Sequence, residues 1–222
     1  EITASDWSSD VCSSDLPRTS RDLARARELR PVVDRAEALI DLHSMTDPCP
    51  PLALAGTRAK GLALARAVGV PRDIVIDAGH AAGRRVRDYA FFDDPDDPRA
   101  ALLVECGQHW ERSAPAVALE ATLRFLAHCG TIDRADALAR VGEGPSPSQR
   151  AIEVTRVVTI ATDRFAFAMP VHGLMVVPRA GTLLATDGPA EVRTPFDDCV
   201  LIMPTRKPKI GETAVRLGRI VG

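Results

Sequence analysis

Two short stretches carry the residue types best suited to chemistry. The first is Asp41-Leu42-His43-Ser44, which closes an apolar run starting at Ala38. An imidazole just past a buried strand is well placed to ligate a metal, and a neighbouring acid can orient its ring. The plainer alternative is a histidine that caps or closes a loop. The second stretch is Val104-Glu105-Cys106-Gly107-Gln108-His109, again at the end of an apolar run. A carboxylate kept dry there has a raised pKa and suits a general base near neutral pH. Its plainer alternative is a strand-end salt bridge. Gly107 lets backbone approach a ligand closely. Cys106 offers a nucleophile, but the sequence places no base to activate it, and His109 lies beyond a glycine.

A third stretch runs Asp77-Ala78-Gly79-His80 and on through Gly83, Arg84, Arg85, Arg87 and Asp88. Its arginines are of the type that grips a carboxylate with two hydrogen bonds. A solvated basic loop is the simpler reading and the one the sequence favours. His128 and His172 stand alone and read as structural. Trp7 and Trp110 make no aromatic platform. Neither a Walker loop nor a dinucleotide fingerprint is present.

These residues need elements to hold them. Residues 19–35 have helical periodicity, with Leu23, Ala26, Leu29 and Val33 on one stripe, Ser20 as a cap and Pro31 near the end. A strand over 38–42, a proline-rich loop over 46–51 and a helix over 58–68 follow, the helix stopped by Gly69 and Pro71. Next come a strand over 73–77, a polar loop over 93–99, a strand over 101–105, a helix over 116–129 and a shorter helix over 132–141. Strands alternating with helices predict an α/β layer with a largely parallel sheet, whose ligands sit beyond the carboxyl ends of strands. Residues 39–42, 74–76 and 102–104 are expected to be neighbouring core strands, with His43 and Glu105 facing one cleft.

Beyond the Gly/Pro/Ser-rich residues 142–149, short β-rich runs appear at 153–161, 165–169, 174–177, 182–185 and 200–203. They read as a small all-β domain. The organisation expected is a non-native or disordered segment over 1–16, an α/β domain over 17–141, a linker over 142–150 and a small β domain over 151–222. Residues 1–16 repeat Ser-Ser-Asp, lack any periodicity and resemble a translated adaptor, so they take no part in the fold reading.

Bulk composition removes several classes of function. The chain has 222 residues, 28 basic against 30 acidic, and a net charge of -2. That balance gives no electrostatic footprint for nucleic acid or an anionic membrane. No apolar run approaches the roughly 20 residues of a membrane span. Five scattered cysteines form no C-x-x-C pair, which argues against a disulfide framework or a cysteine zinc site and for a reducing, cytoplasmic setting.

Three stretches together resemble the succinylglutamate desuccinylase/aspartoacylase family, relatives of zinc carboxypeptidases. They are RARELRPVVDRAEALIDLHSM, ALLVECGQHWE and the run from GLMVVPRAGTLLATDG through RTPFDDCVLIMPTRKPKIGETAVRLGR. The resemblance implies a zinc-carboxypeptidase-like layered sheet with flanking helices, incomplete at its N-terminus, plus a small β domain. It implies Zn2+ as cofactor, His43 as a metal ligand, Glu105 as the carboxylate that activates the metal-bound water, and a small N-acyl amino acid as substrate. The family's His-x-x-Glu ligand pair and its Asn-Arg motif are absent, and Met45 is atypical for the pocket wall. The expectation is therefore an N-terminally truncated copy that binds zinc weakly and is inactive alone. A non-catalytic binding module and a peptide-cleaving metallocarboxypeptidase are the alternatives.

Overall fold

A computed structural model describes residues 21–79, 85–141 and 147–222. The expectations for residues 1–16, the Ser20 cap, His80, Gly83, Arg84 and most of the 142–149 linker lie outside the described residues.

Helix α1 (Arg21–Val33) buries Leu23 and Ala26 and holds Pro31 near its end. Strand β1 (Ala38–Met45) runs three residues further than its apolar run, so His43 lies within a strand and not just past one. After the proline-rich turn comes β2 (Leu52–Leu54), a strand the sequence reading did not contain. Helix α2 (Ala59–Val68) ends at Gly69, whose φ of 78 only glycine adopts readily and whose N–H donates to the Ala65 carbonyl. Strand β3 (Asp73–Ile76) follows, then two 3₁₀ turns (Val86–Asp88 and Ala90–Phe92). Strand β4 (Ala100–Gln108) leads into α3 (Ala114–His128) and α4 (Arg134–Val141). The remaining strands are β5 (Arg150–Thr159), β6 (Phe165–Phe167), β7 (Met175–Val177), β8 (Leu183–Asp187), β9 (Ala190–Arg193), β10 (Cys199–Ile202) and β11 (Thr213–Ile220).

Eight strands form one sheet in the order β1-β4-β2-β3-β5-β11-β10-β7, and β6-β8-β9 form a second. The large sheet is mixed: β1–β4, β2–β3 and β3–β5 are parallel, while β2 runs antiparallel to β4. β1 and β4 are neighbours as expected. β3 is in the same sheet but is separated from β4 by β2. β5 links the two halves of the sheet, pairing through its first residues with β3 and along its length with β11.

Alternation along β4 assigns the faces. Leu102, Val104 and Cys106 pack with Leu64, Val68 and Phe125 beneath α2 and α3. Leu103 packs on the other face with Leu52, Leu54, Val75 and Ile202. That second face is also covered by α1 and the 3₁₀ turns, where Ala26, Val86, Tyr89 and Phe92 meet Leu39 and Ala101. A separate core, with Phe165, Leu184, Leu201 and Leu217, lies between the smaller sheet and the far end of the larger one.

Candidate active site

The parallel β1–β4 pairing sets Asp41 opposite Leu103 and His43 opposite Glu105. Register partners on parallel strands project to the same side, and the strands are about 4.8 Å apart. Asp41, His43 and Glu105 therefore share the face that carries Leu103, away from α2 and α3. The two residues singled out from sequence are brought together by one ladder.

Asp41 fixes the imidazole. Its Oδ1 lies 2.9 Å from Nε2 of His43. This hydrogen bond is the main reason the His43 pKa is raised, and it outweighs the opposing effect of burial. With Nε2–H donating to Asp41, Nδ1 is the nitrogen turned over to a ligand.

Glu105 is 7% exposed, and its Oε2 has no hydrogen-bond partner among the described residues. Burial pushes its pKa up and Asp41 adds to that, while His43 and Arg85 hold it down. A carboxylate that carries an unspent oxygen and prefers its proton has the profile of a general base near neutral pH. A cavity of about 740 Å³ runs along the β1 edge, lined by Asp41, His43 and Ser44 on the strand side and by Trp110 and Pro115 opposite. Glu105 is not on its wall.

The arginine-rich stretch differs from its expected role. Arg85 and Arg87 are each 5% exposed and do not form a solvated loop. Nη2 of Arg85 lies 3.2 Å from Oδ2 of Asp77, and Nε of Arg216 approaches the same oxygen at 3.2 Å. Arg87 pairs with Asp88. Acids interleaved with the arginines neutralise them, which lets the segment fold inward. Arg216 escaped the sequence reading because nothing local marks a strand residue distant in sequence as the partner of Asp77.

The other candidates fall into place as follows. Met45 is buried beside Cys49 and Leu52 and is not on the wall of the cleft. Cys106 is buried, and burial lifts its thiol to about 11. Both ring nitrogens of His109 are engaged by other residues, Nδ1 2.7 Å from Ser44 Oγ and Nε2 3.3 Å from Thr46 Oγ1. His172 bonds locally, to the Gly173 carbonyl. Trp110 is 85% exposed.

A catalytic zinc takes about three protein donors. Among the described residues, no group of three His, Cys, Asp or Glu side chains is gathered closely enough to hold a metal. His43 supplies one donor position, which is not a zinc site by itself.

The chain shares its fold with succinylglutamate desuccinylases. One from Vibrio parahaemolyticus matches 96% of this chain at 16% identity and a TM-score of 0.69. The product-bound ectoine utilization protein of Ruegeria pomeroyi matches 94% at 16% identity and a TM-score of 0.68. Murine aminoacylase 3 matches 96% at 13% identity and a TM-score of 0.53. The chain spans 65% of the Vibrio parahaemolyticus structure and 62% of another succinylglutamate desuccinylase, from Vibrio cholerae. No family model and no curated protein matches the sequence. The α/β fold with a large mixed sheet and flanking helices is thus that of the zinc-carboxypeptidase-like layer expected from sequence. Among the described residues no helix is long and apolar enough to cross a membrane.

Proposed function

We propose that the β1–β4 site belongs to a hydrolase of the succinylglutamate desuccinylase/aspartoacylase kind, built to cleave the amide bond of a small N-acyl amino acid. The observation that carries this reading is the register pairing of His43 with Glu105 on one face of the sheet. The fold likeness to succinylglutamate desuccinylases supports it. Glu105 is the residue suited to take a proton from water as its oxygen attacks the amide carbonyl carbon. The same carboxyl group then returns that proton to the nitrogen as the C–N bond breaks. Asp41 holds the imidazole of His43 in the orientation a ligand needs. Zinc is the cofactor this reading implies, with His43 as one donor. Because the described residues gather too few donors, the 222-residue chain binds zinc weakly and shows no measurable deacylase activity.

A second reading, a ligand-binding module without chemistry, is favoured by that same shortage of metal donors. Calorimetry separates the two. The 222-residue chain is titrated with zinc and, separately, with N-succinyl and N-acetyl amino acids, while release of free amine is followed. The deacylase reading expects weak zinc binding and substrate binding that Glu105→Gln and His43→Ala both weaken. Failure to bind any N-acyl amino acid would overturn it. Unweakened binding in both variants would favour the module. Tight stoichiometric zinc would show that the donor count is wrong.

A further inference from the structure

We propose that a second cavity, walled by α2, α3 and α4, binds a small anion bearing a phosphoryl group. Its volume is about 400 Å³, within the size range of small-molecule sites. It shares no residue with the His43 cleft and lies on the face of the sheet covered by α2 and α3, whereas Asp41, His43 and Glu105 project from the other face. The proposal does not depend on the hydrolase reading.

Three arginines line this cavity, one from each helix: Arg66 of α2, Arg124 of α3 and Arg134 of α4. Arg124 is mostly buried and pairs with Glu120, its Nη2 2.9 Å from Oε1. Among the described residues, no ion pair engages Arg66 or Arg134. Asp133, beside Arg134 in sequence, is occupied at the start of α4, where its Oδ1 accepts from the Ala135 and Asp136 amides.

Basic residues near helix ends usually offset carbonyls left without donors. That need is already met here. The Ala65 carbonyl at the end of α2 accepts from Gly69 N–H at 3.1 Å and from Gln149 Nε2 at 3.1 Å. At the end of α3, Phe125, Leu126 and Ala127 carbonyls accept from the Cys129, Thr131 and Gly130 amides. Arg66, in the last turn of α2, is therefore not consumed in closing that helix. The feature it shares with Arg134 is the cavity.

The arrangement favours one anion chemistry. A carboxylate is planar and is satisfied by one guanidinium fork. A phosphoryl group offers oxygens in several directions and suits forks arriving from separate helices. Leu138, Ala127 and Ala137 add an apolar wall beside the arginines.

Calorimetry on the 222-residue chain with inorganic pyrophosphate tests the proposal, with succinate and sodium chloride at matched ionic strength as separate arms. Arg66→Gln and Arg134→Gln change exposed side chains, and unligated melting curves check that both variants fold. The expected result is one saturable pyrophosphate site per chain, weakened at least tenfold in each variant. Equal affinity in folded variants would overturn the proposal. So would succinate binding as tightly as pyrophosphate, or a response that follows ionic strength alone.

Discussion

His43 and Glu105 stand opposite each other across two parallel strands, one partly exposed and held by Asp41, the other buried with an oxygen that has no hydrogen-bond partner among the described residues. A raised carboxyl pKa means the folded state binds the proton more tightly than the unfolded chain does. The associated stability is fully present below the ordinary value of 4.5 and is lost as pH rises through the folded value. Glu105→Gln removes the buried charge. It should stabilise the chain at pH 7 by about 1 kcal/mol, the lower end of the cost of an unsatisfied buried group, and leave stability unchanged near pH 4. Urea unfolding at both pH values measures this. A loss of stability at pH 7 would mean that Glu105 is satisfied by a partner the geometry does not reveal.

Asp41 acts on His43 in the opposite chemical sense. The hydrogen bond favours the protonated ring, so its stabilisation is present below the ordinary pKa of 6.5 and fades as pH rises through the higher folded value. Asp41→Asn should lower the His43 pKa and remove about 1 kcal/mol at pH 5.5, less than the roughly 1.5–3 kcal/mol of a buried hydrogen bond to a charged group because solvent screens this partly exposed pair. The ring protons of His43, followed by NMR across pH 5 to 9, give the pKa directly. An unmoved pKa would show that Asp41 does not hold the ring in solution.

Gly61 gives a test of packing with an unusual sign. Glycine inside a helix normally costs about 1 kcal/mol relative to alanine, so Gly→Ala is expected to stabilise. In α2 the carbonyl oxygen of Ala55 occupies the place a β-carbon would take, and the contact is with backbone that cannot rotate away. Gly61→Ala should therefore destabilise by about 2 kcal/mol, as overpacking does. Thermal melts of the variant decide it, and a raised melting temperature would contradict the close approach.

Much of this arrangement is legible in the sequence, for identifiable reasons. The apolar runs that became β3 and β4 stand out because both faces of those strands are covered, so hydrophobicity is continuous, whereas the edge strand β1 is marked by its apolar start at Ala38 to Ile40. The helices were recognisable by period and by stops such as Gly69 and Gly130. β2 was missed because three residues after a proline run show neither period nor length. Its insertion also explains why β3 is not beside β4. β9 and β11 were missed because Glu191, Arg193, Arg216 and Arg219 interrupt their apolar pattern. At the site, His43 and Glu105 are marked in the sequence by their place at the ends of apolar runs, although the strands themselves extend past both. The link between Asp77 and Arg216 depends on pairing far apart in the chain and leaves no local trace.

Asp77 is 2% exposed, and one of its oxygens lies 3.2 Å from both Arg85 and Arg216. Both guanidinium groups are buried, and desolvation lowers the Arg216 pKa despite the nearby carboxylate. Replacing the acid leaves two positive charges in a dry environment with less to oppose them. Asp77→Asn should cost about 3 kcal/mol, the lower end of the range for breaking a buried pair by removing one partner. The exposed pair of Arg193 with Glu191, at 47% and 53% side-chain exposure, provides the control. Glu191→Gln should change stability by less than about 0.5 kcal/mol, because solvent screens that pair. Urea unfolding of the two variants side by side makes the comparison. An Asp77→Asn cost no larger than that of Glu191→Gln would mean that Arg85 and Arg216 are neutralised elsewhere and that Asp77 does not tie β11 to the 3₁₀ segment.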